Sequence, residues 1–269
     1  MNDLFNLKGE IAVVIGAGGV IAGAIAEGFA QAGATVAVVD VRPEAGEARA
    51  ENIRKNGGAA KFFQANAMDR ESLAKARKAI IDALGQPTIL LNGAGGNDPK
   101  TTVTAENPFE NILLDNWKRN FELNLVAGAL LPCQEFGSGM VKQMKGSIIN
   151  IASVSAHIPL SMVVAYSAAK SAVLSLTRFL AREWAPYNVR VNSITPGFFP
   201  ADQNRQLLFK PDGTPTDRTR KIFEHTPMKR FGEANELVGA AIYLASQKAS
   251  SFVTGSDIRV DGGFLAQTI

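Results

Sequence analysis

Polar and apolar positions fall into a two-part rhythm along nearly the whole chain. Short, uninterrupted apolar runs, such as IAVVIG at 11–16 and TVAVVD at 35–40, are each followed by longer stretches with apolar residues every three or four positions. The runs predict strands at 11–16, 35–40, 60–65, 88–92, 146–152, 189–195 and 257–260. The stretches between them predict helices at 20–33, 43–56, 70–84, 112–142, 163–186 and 233–246. Strands that are apolar throughout belong to a sheet buried on both faces. With right-handed crossovers, the alternation gives an α/β fold: a Rossmann-type, doubly wound parallel sheet of about seven strands with helices on both faces.

No linker, repeat or compositional break divides the 269 residues, which predicts one domain over 1–269. One segment departs from the rhythm. Residues 197–230 contain Pro200, Pro211, Pro215 and Pro227 and no strand pattern. The segment follows the C-terminal end of the sixth predicted strand, the side on which open α/β sheets bind ligands. It therefore reads as a substrate lid.

Composition removes several function classes. Hydrophobic residues make up 46% and charged residues 20%, an ordinary globular balance. A net charge of +3 with no long basic run leaves no footprint for nucleic acid. Cys133 is the one cysteine, so neither an intramolecular disulfide nor a cysteine metal cluster is expected, and its apolar setting suggests a buried thiol. His157 and His225 are too far apart to predict a histidine metal site. No apolar run approaches the ~20 residues of a membrane span, and the N-terminus lacks a signal-peptide arrangement. A soluble, cytoplasmic protein is expected.

Two stretches carry candidate chemistry. In VVIGAGGVIAGAIAEGFA, Gly16, Gly18 and Gly19 join the first strand to a helix opening at Val20 and Ile21. Such a turn lets the backbone approach a pyrophosphate at the positive end of the helix. The second strand ends in Asp40, 24 residues after Gly16, where a carboxylate can accept from ribose hydroxyls and repel a 2′-phosphate. This favours NAD over NADP, with Arg42 as the counterweight. In ASVSAHIPLSMVVAYSAAKSAV, Tyr166 and Lys170 are spaced to share one helix face, and Ser153 precedes Tyr166 by 13 residues. An ammonium beside a phenol is expected to lower its pKa, making it a proton donor or acceptor near neutrality.

In order and spacing these features resemble the short-chain dehydrogenase/reductase family over essentially the whole chain. The resemblance rests on the glycine turn at 16–23, Asp40, NAMD at 66–69 and NGAG at 92–95. It continues through Asn124 in FELNLVAG, the Ser153/Tyr166/Lys170 set, PG at 196–197 and VDGG at 260–263. It implies that Tyr166 is the general acid for a carbonyl oxygen as hydride arrives, and the base in the reverse direction. It further implies that Ser153 holds the same oxygen, that Lys170 binds the nicotinamide ribose, and that Asn124 positions a water. Asn66, Ala67, Asn92, Gly93 and Ala94 would line the cofactor, while Pro196 and Gly197 would meet the nicotinamide carboxamide. The chain departs from the family pattern at Ile15, Val20 and Ala22 in the first turn, at Asn66, where an aspartate is usual, and at Gly93.

For the substrate, residues 198–230 hold seven Lys/Arg against four Asp/Glu, which suits a hydroxylated anion. Arg205 is the candidate for a carboxylate, with Gln203 and Asn204 beside it for hydroxyls and Asn97 and His157 at the pocket mouth. GAGGV, NGAGGNDP and PGFFPADQNRQLL resemble the family's D-mannonate oxidoreductase (fructuronate reductase) branch, which implies NADH-dependent interconversion of D-fructuronate and D-mannonate. A gluconate 5-dehydrogenase or another sugar-acid or polyol dehydrogenase is the alternative. A dinucleotide-binding redox sensor without turnover is the alternative of another class. Apolar and small residues on the predicted helices 112–142 and 163–186, together with the resemblance, suggest a homotetramer.

Overall fold

The computed structural model describes residues 3–201 and 205–267. Gln203 and Asn204 lie outside the described residues. The seven strands are β1 (Ile11–Ile15), β2 (Thr35–Asp40), β3 (Ala59–Gln64), β4 (Ile89–Asn92), β5 (Gly146–Ile151), β6 (Val189–Pro196) and β7 (Asp257–Val260). They form one parallel sheet in the order β3-β2-β1-β4-β5-β6-β7. β1, β4, β5 and β6 are buried almost end to end, with polar residues such as Asn150, Arg190 and Asn192 buried among the apolar ones and hydrogen-bonded. The chain reverses its direction of travel through the sheet between β1 and β4. A ligand crevice is expected there, beyond the strands' C-terminal ends.

Helices α1 (Val20–Gln31), α2 (Pro43–Lys55) and α3 (Arg70–Leu84) form the crossovers of the first half. Separate cores lie on the two faces of the sheet. Ile25, Phe29, Ile53 and Leu244 belong to one, and Leu73, Ile80, Phe136 and Met140 to the other.

The expected helix 112–142 is not uniform. It runs as α4 (Leu114–Phe121), a widened π-helical stretch (Glu122–Leu130) and α5 (Leu131–Lys142). Asn124 sits inside the widened stretch. Its Nδ2 donates to the Asn120 carbonyl at 2.9 Å, the acceptor that a regular helix would give to the Asn124 backbone N–H. Pro132, at the start of α5, has no N–H to return to the ladder. The second half continues through α6 (Val164–Trp184).

The expected lid is also partly helical. It contains a short α7 (Arg205–Leu208) and α8 (Asp217–His225), tied together by a bridge between Phe209 and Pro215. α8 is capped by Thr216, whose hydroxyl accepts from Thr219 N, and α9 (Val238–Ala245) follows. Among the described residues, no helix is long and apolar enough to cross a membrane.

Candidate active site

A cleft of about 470 Å³ opens above β1 and β4 and runs from Asp40 to Tyr166 and Lys170. At its near end the β1–α1 turn packs tightly. Gly16 has φ +78°, and a Cβ there would lie 2.9 Å from Ala94 N, so this turn needs glycine to pass close to the β4 loop. A Cβ on Gly18 would lie 2.8 Å from Asp40 Oδ2, and the Gly18 N–H instead donates to that oxygen at 2.9 Å. Gly19 caps α1, presenting the helix N-terminus at Val20 and Ile21 to the cleft.

Asp40 is held firmly. Its Oδ1 accepts from Arg42 N at 3.0 Å and Arg42 Nε at 3.1 Å, and its side chain is only 4% exposed. Oδ2 accepts in turn from Gly18 N at 2.9 Å and Arg42 Nη2 at 3.4 Å, so a ribose hydroxyl would take the place of an Arg42 contact. Arg42 lines the same end of the cleft, so the counterweight weighed in the sequence is physically an ion pair with the very carboxylate it opposes. Val41, Ala65, Asn66, Ala67 and Met68 complete this wall. Asn66 Oδ1 accepts from Met68 N at 3.0 Å, which fixes the amide's orientation. The glycine turn, the α1 N-terminus and the buried carboxylate fit a nicotinamide dinucleotide.

At the far end stand the candidate catalytic groups. β5 delivers Ser153 two residues past its last residue, where Ser153 opens a short 3₁₀ turn (Val154–Ala156). α6 begins at Val164 and presents Tyr166 and Lys170 one turn apart toward the cleft. Ser153 Oγ accepts from Ser155 N at 3.2 Å and from the Ser155 hydroxyl at 3.0 Å. A hydroxyl oxygen accepting twice turns its own hydrogen outward, here toward Tyr166, with which Ser153 is hydrogen-bonded. The sequence offered no signal for Ser155, since a serine two residues away becomes a partner only once the 3₁₀ turn folds.

Lys170 Nζ donates to the Ile151 carbonyl at 2.8 Å and lies 5.7 Å from the Tyr166 ring centroid. The expectation of a tyrosine pKa below its ordinary value is corrected here. Burial pushes the Tyr166 phenol above its ordinary value, opposed by the hydrogen bond from Ser153, and burial also brings the Lys170 ammonium down to about 8. At neutral pH the pair is thus a protonated phenol beside an ammonium. Asn124 is completely buried. Its Oδ1 accepts from Gly96 N at 2.9 Å and its Nδ2 donates to Gly96 O at 2.8 Å. These bonds clamp the loop after β4 in a two-point grip. Gly95, Gly96, Leu123 and Ile151 also line the cleft.

Other candidates are placed less directly. Asn92 is buried, donating to Asn150 Oδ1 at 2.8 Å, and Gly93 and Ala94 reach the cleft. Pro196 closes β6, and the Gly197 N–H is bonded to Val260 O at 2.9 Å, tying this corner to β7. Asn97 Nδ2 donates to Thr102 at 2.7 Å, and its Oδ1 is buried without a partner. His157 Nε2 lies 3.1 Å from Asp257 Oδ2 and 3.2 Å from Thr195 Oγ1, an attachment to the β6–β7 edge. Arg205 is exposed, with its guanidinium over the Phe209 ring at 5.7 Å, and does not line the cleft. No group of three or more His, Cys, Asp or Glu residues among the described residues could hold a metal.

A seven-stranded sheet of this order, with a serine, tyrosine, lysine and asparagine gathered at one crevice, defines a dinucleotide-dependent oxidoreductase of Rossmann type. The family model described as enoyl-(acyl carrier protein) reductase matches residues 16–265, and the chain belongs to the short-chain dehydrogenase/reductase family. The chain is similar to a Haemophilus influenzae protein, proposed as a D-mannonate oxidoreductase and solved with bound NAD. The two share 39% identity at a TM-score of 0.91, over 98% of this chain and 97% of that one. It is similar to the D-threitol dehydrogenase of Mycolicibacterium smegmatis, with 34% identity over 97% of this chain and 94% of the relative. It is also similar to a Burkholderia cenocepacia gluconate 5-dehydrogenase solved with NADP and tartrate. Here identity is 31% at a TM-score of 0.89, over 99% of each chain. The relatives named here for an activity act on sugar and polyol substrates, and this chain is an oxidoreductase of their family.

Proposed function

We propose that this protein uses NAD(H) to interconvert a ketone and a secondary alcohol on a sugar acid, and that the pair is D-fructuronate and D-mannonate. The observation that carries the reading is the convergence of Ser153, Tyr166 and Lys170 at one end of a cleft whose other end is closed by Asp40. When bound, the nicotinamide supplies or accepts the hydride. The protein's part is the proton. Tyr166 holds one on its phenol and gives it to the carbonyl oxygen, while Ser153, oriented by Ser155, donates a hydrogen bond to the same oxygen. The Lys170 ammonium stabilises the phenolate left behind. Asn124 fixes the loop beside it, where a Cβ on Gly95 would sit 2.6 Å from Asn124 Oδ1 and 3.5 Å from Lys170 Nζ.

Support for a sugar acid comes from the basic surplus of the lid and from the relative proposed as a D-mannonate oxidoreductase. The gluconate 5-dehydrogenase reading is favoured in turn by the relative solved with NADP and tartrate. Purified protein with NADH and a panel of keto sugar acids, followed by loss of nicotinamide absorbance, tests the assignment. The expected outcome is fastest turnover on D-fructuronate. Preference for 5-keto-D-gluconate would transfer the reading to its rival. NADH binding without turnover on any ketone would make the protein a dinucleotide sensor.

A further inference from the structure

The lid carries a cation that its surroundings do not satisfy. Arg218 stands in the first turn of α8, beside the buried Thr219 and one turn before the buried Ile222, so its side chain leaves from the edge of the helix's inward face. Among the described residues it forms no ion pair, and its side chain donates from Nη1 to the thioether of Met162 at 2.9 Å. A thioether is a weak acceptor, while a guanidinium has five N–H donors in a flat fork. Nearby arginines are served otherwise: Arg220 pairs with Asp217, and Arg230 meets Glu236 through two bonds of 2.7 and 2.8 Å. Arg218 is half-buried, and that burial lowers its pKa, which marks a charge drawn out of water with no counter-charge in return.

Its position names the ligand. Met162 lies four residues before Tyr166, in the segment joining the Ser153 turn to α6, and its backbone is held at φ +75°. The Met162 carbonyl accepts from Val103 N at 2.8 Å, on the loop that follows β4 and Asn97. The lid and the Ser153–Tyr166 segment therefore meet at the Arg218–Met162 contact, with the β4 loop joined to them through the Met162 carbonyl; Arg218, like Arg205, stands outside the lining of the cleft itself. In D-fructuronate the carboxylate stands at the opposite end of the carbon chain from the ketone. Its anchor then belongs at the rim and not beside Tyr166. Methionine is flexible enough to yield its place to an entering anion. We propose that Arg218 binds the carboxylate of the substrate and so selects a sugar acid over the neutral sugar. The inference rests on the sugar-acid reading above and replaces Arg205 as the anchoring cation.

The test compares D-fructuronate with D-fructose, which carries the matching ketone and no carboxylate, in the wild type, Arg218→Met, Arg218→Lys, Arg205→Met and Arg220→Met. Arg218→Met should raise KM for D-fructuronate by about 10- to 100-fold, the loss expected for a charge-assisted pair, and leave activity on D-fructose and NADH affinity unchanged. Arg218→Lys should fall between, because a point charge cannot reproduce the fork. It also serves if the methionine variant does not fold. Arg220→Met should match the wild type. A wild type that prefers D-fructuronate while Arg218→Met keeps that preference would overturn the inference and leave the sugar-acid reading standing. The same holds if Arg205→Met alone weakens D-fructuronate. A wild type with no preference for the acid would overturn both.

Discussion

At the scale of single residues, the tyrosine carries the most exposed assignment. Tyr166→Phe removes only the transferable proton and leaves the cleft's shape, so turnover should fall by at least about three orders of magnitude with NADH affinity intact. Steady-state rates and a fluorescence titration of NADH check this together, and retention of a tenth of the rate would remove Tyr166 from the role. The pH profile follows from the two burial effects. A phenol held above its ordinary value must be deprotonated before it can act as a base, so alcohol oxidation should climb continuously from pH 7 to 10. Ketone reduction uses the protonated phenol and the ammonium, so it should be level at neutral pH and decline as Lys170 titrates near 8. An oxidation rate that levels off below pH 7 would contradict the raised phenol. For cofactor choice, Asp40 accepts from Gly18 and Arg42 and closes the adenosine end with a negative charge. NAD(H) should therefore be preferred by kcat/KM, and Asp40→Ala, which frees Arg42 to meet a 2′-phosphate, should narrow the gap. A preference for NADPH in the wild type would mean that the arginine prevails.

At the scale of elements, the strand pattern was legible to within a residue or two, because β-branched and aliphatic residues dominate the buried strands even where Asn150, Arg190 and Asn192 interrupt them. β2 and β7 coincide with their expected ranges, and β3 begins one residue earlier than expected. The irregularities were not legible. The helix over 112–142 was expected as regular, and what widens it is a side chain, Asn124, taking the place of a backbone donor. Periodicity does not register that exchange. The lid was expected as irregular because prolines punctuate it, yet Pro215 lies before the Thr216 cap and so outside α8, which it does not interrupt. The placement of Tyr166 and Lys170 one turn apart on a helix facing a cleft was legible in their spacing. Ser155 and Arg218 were not, since each acquires its role from a neighbour distant in pattern: a hydroxyl turned inward by a 3₁₀ turn, and a thioether across from α8.

At the scale of the whole molecule, α4 and α6 pack against each other and leave large apolar side chains uncovered beside them. Leu113, Leu114 and Phe179 are 67%, 64% and 57% exposed. Phe252, at the other end of the chain's second half, is fully exposed. Apolar surface of this kind is commonly covered between subunits. We expect a homotetramer, and light scattering at micromolar concentration checks it, with a monomer as the contrary result. The cysteine has a consequence at this scale as well. Cys133 lies at the start of α5 under the sheet, accepts from Asn92 at 3.3 Å, and is 1% exposed, and burial pushes its thiol up to about 12. Only the thiolate reacts with disulfide reagents, so the native protein should resist them for hours while the denatured chain consumes one equivalent at once. Because the chain has a single such group, each modified molecule records one opening of the sheet. Labelling kinetics then become a clock for rare excursions from the native state. A tightly held dinucleotide should slow that clock in proportion to its occupancy, giving an affinity without any turnover being observed.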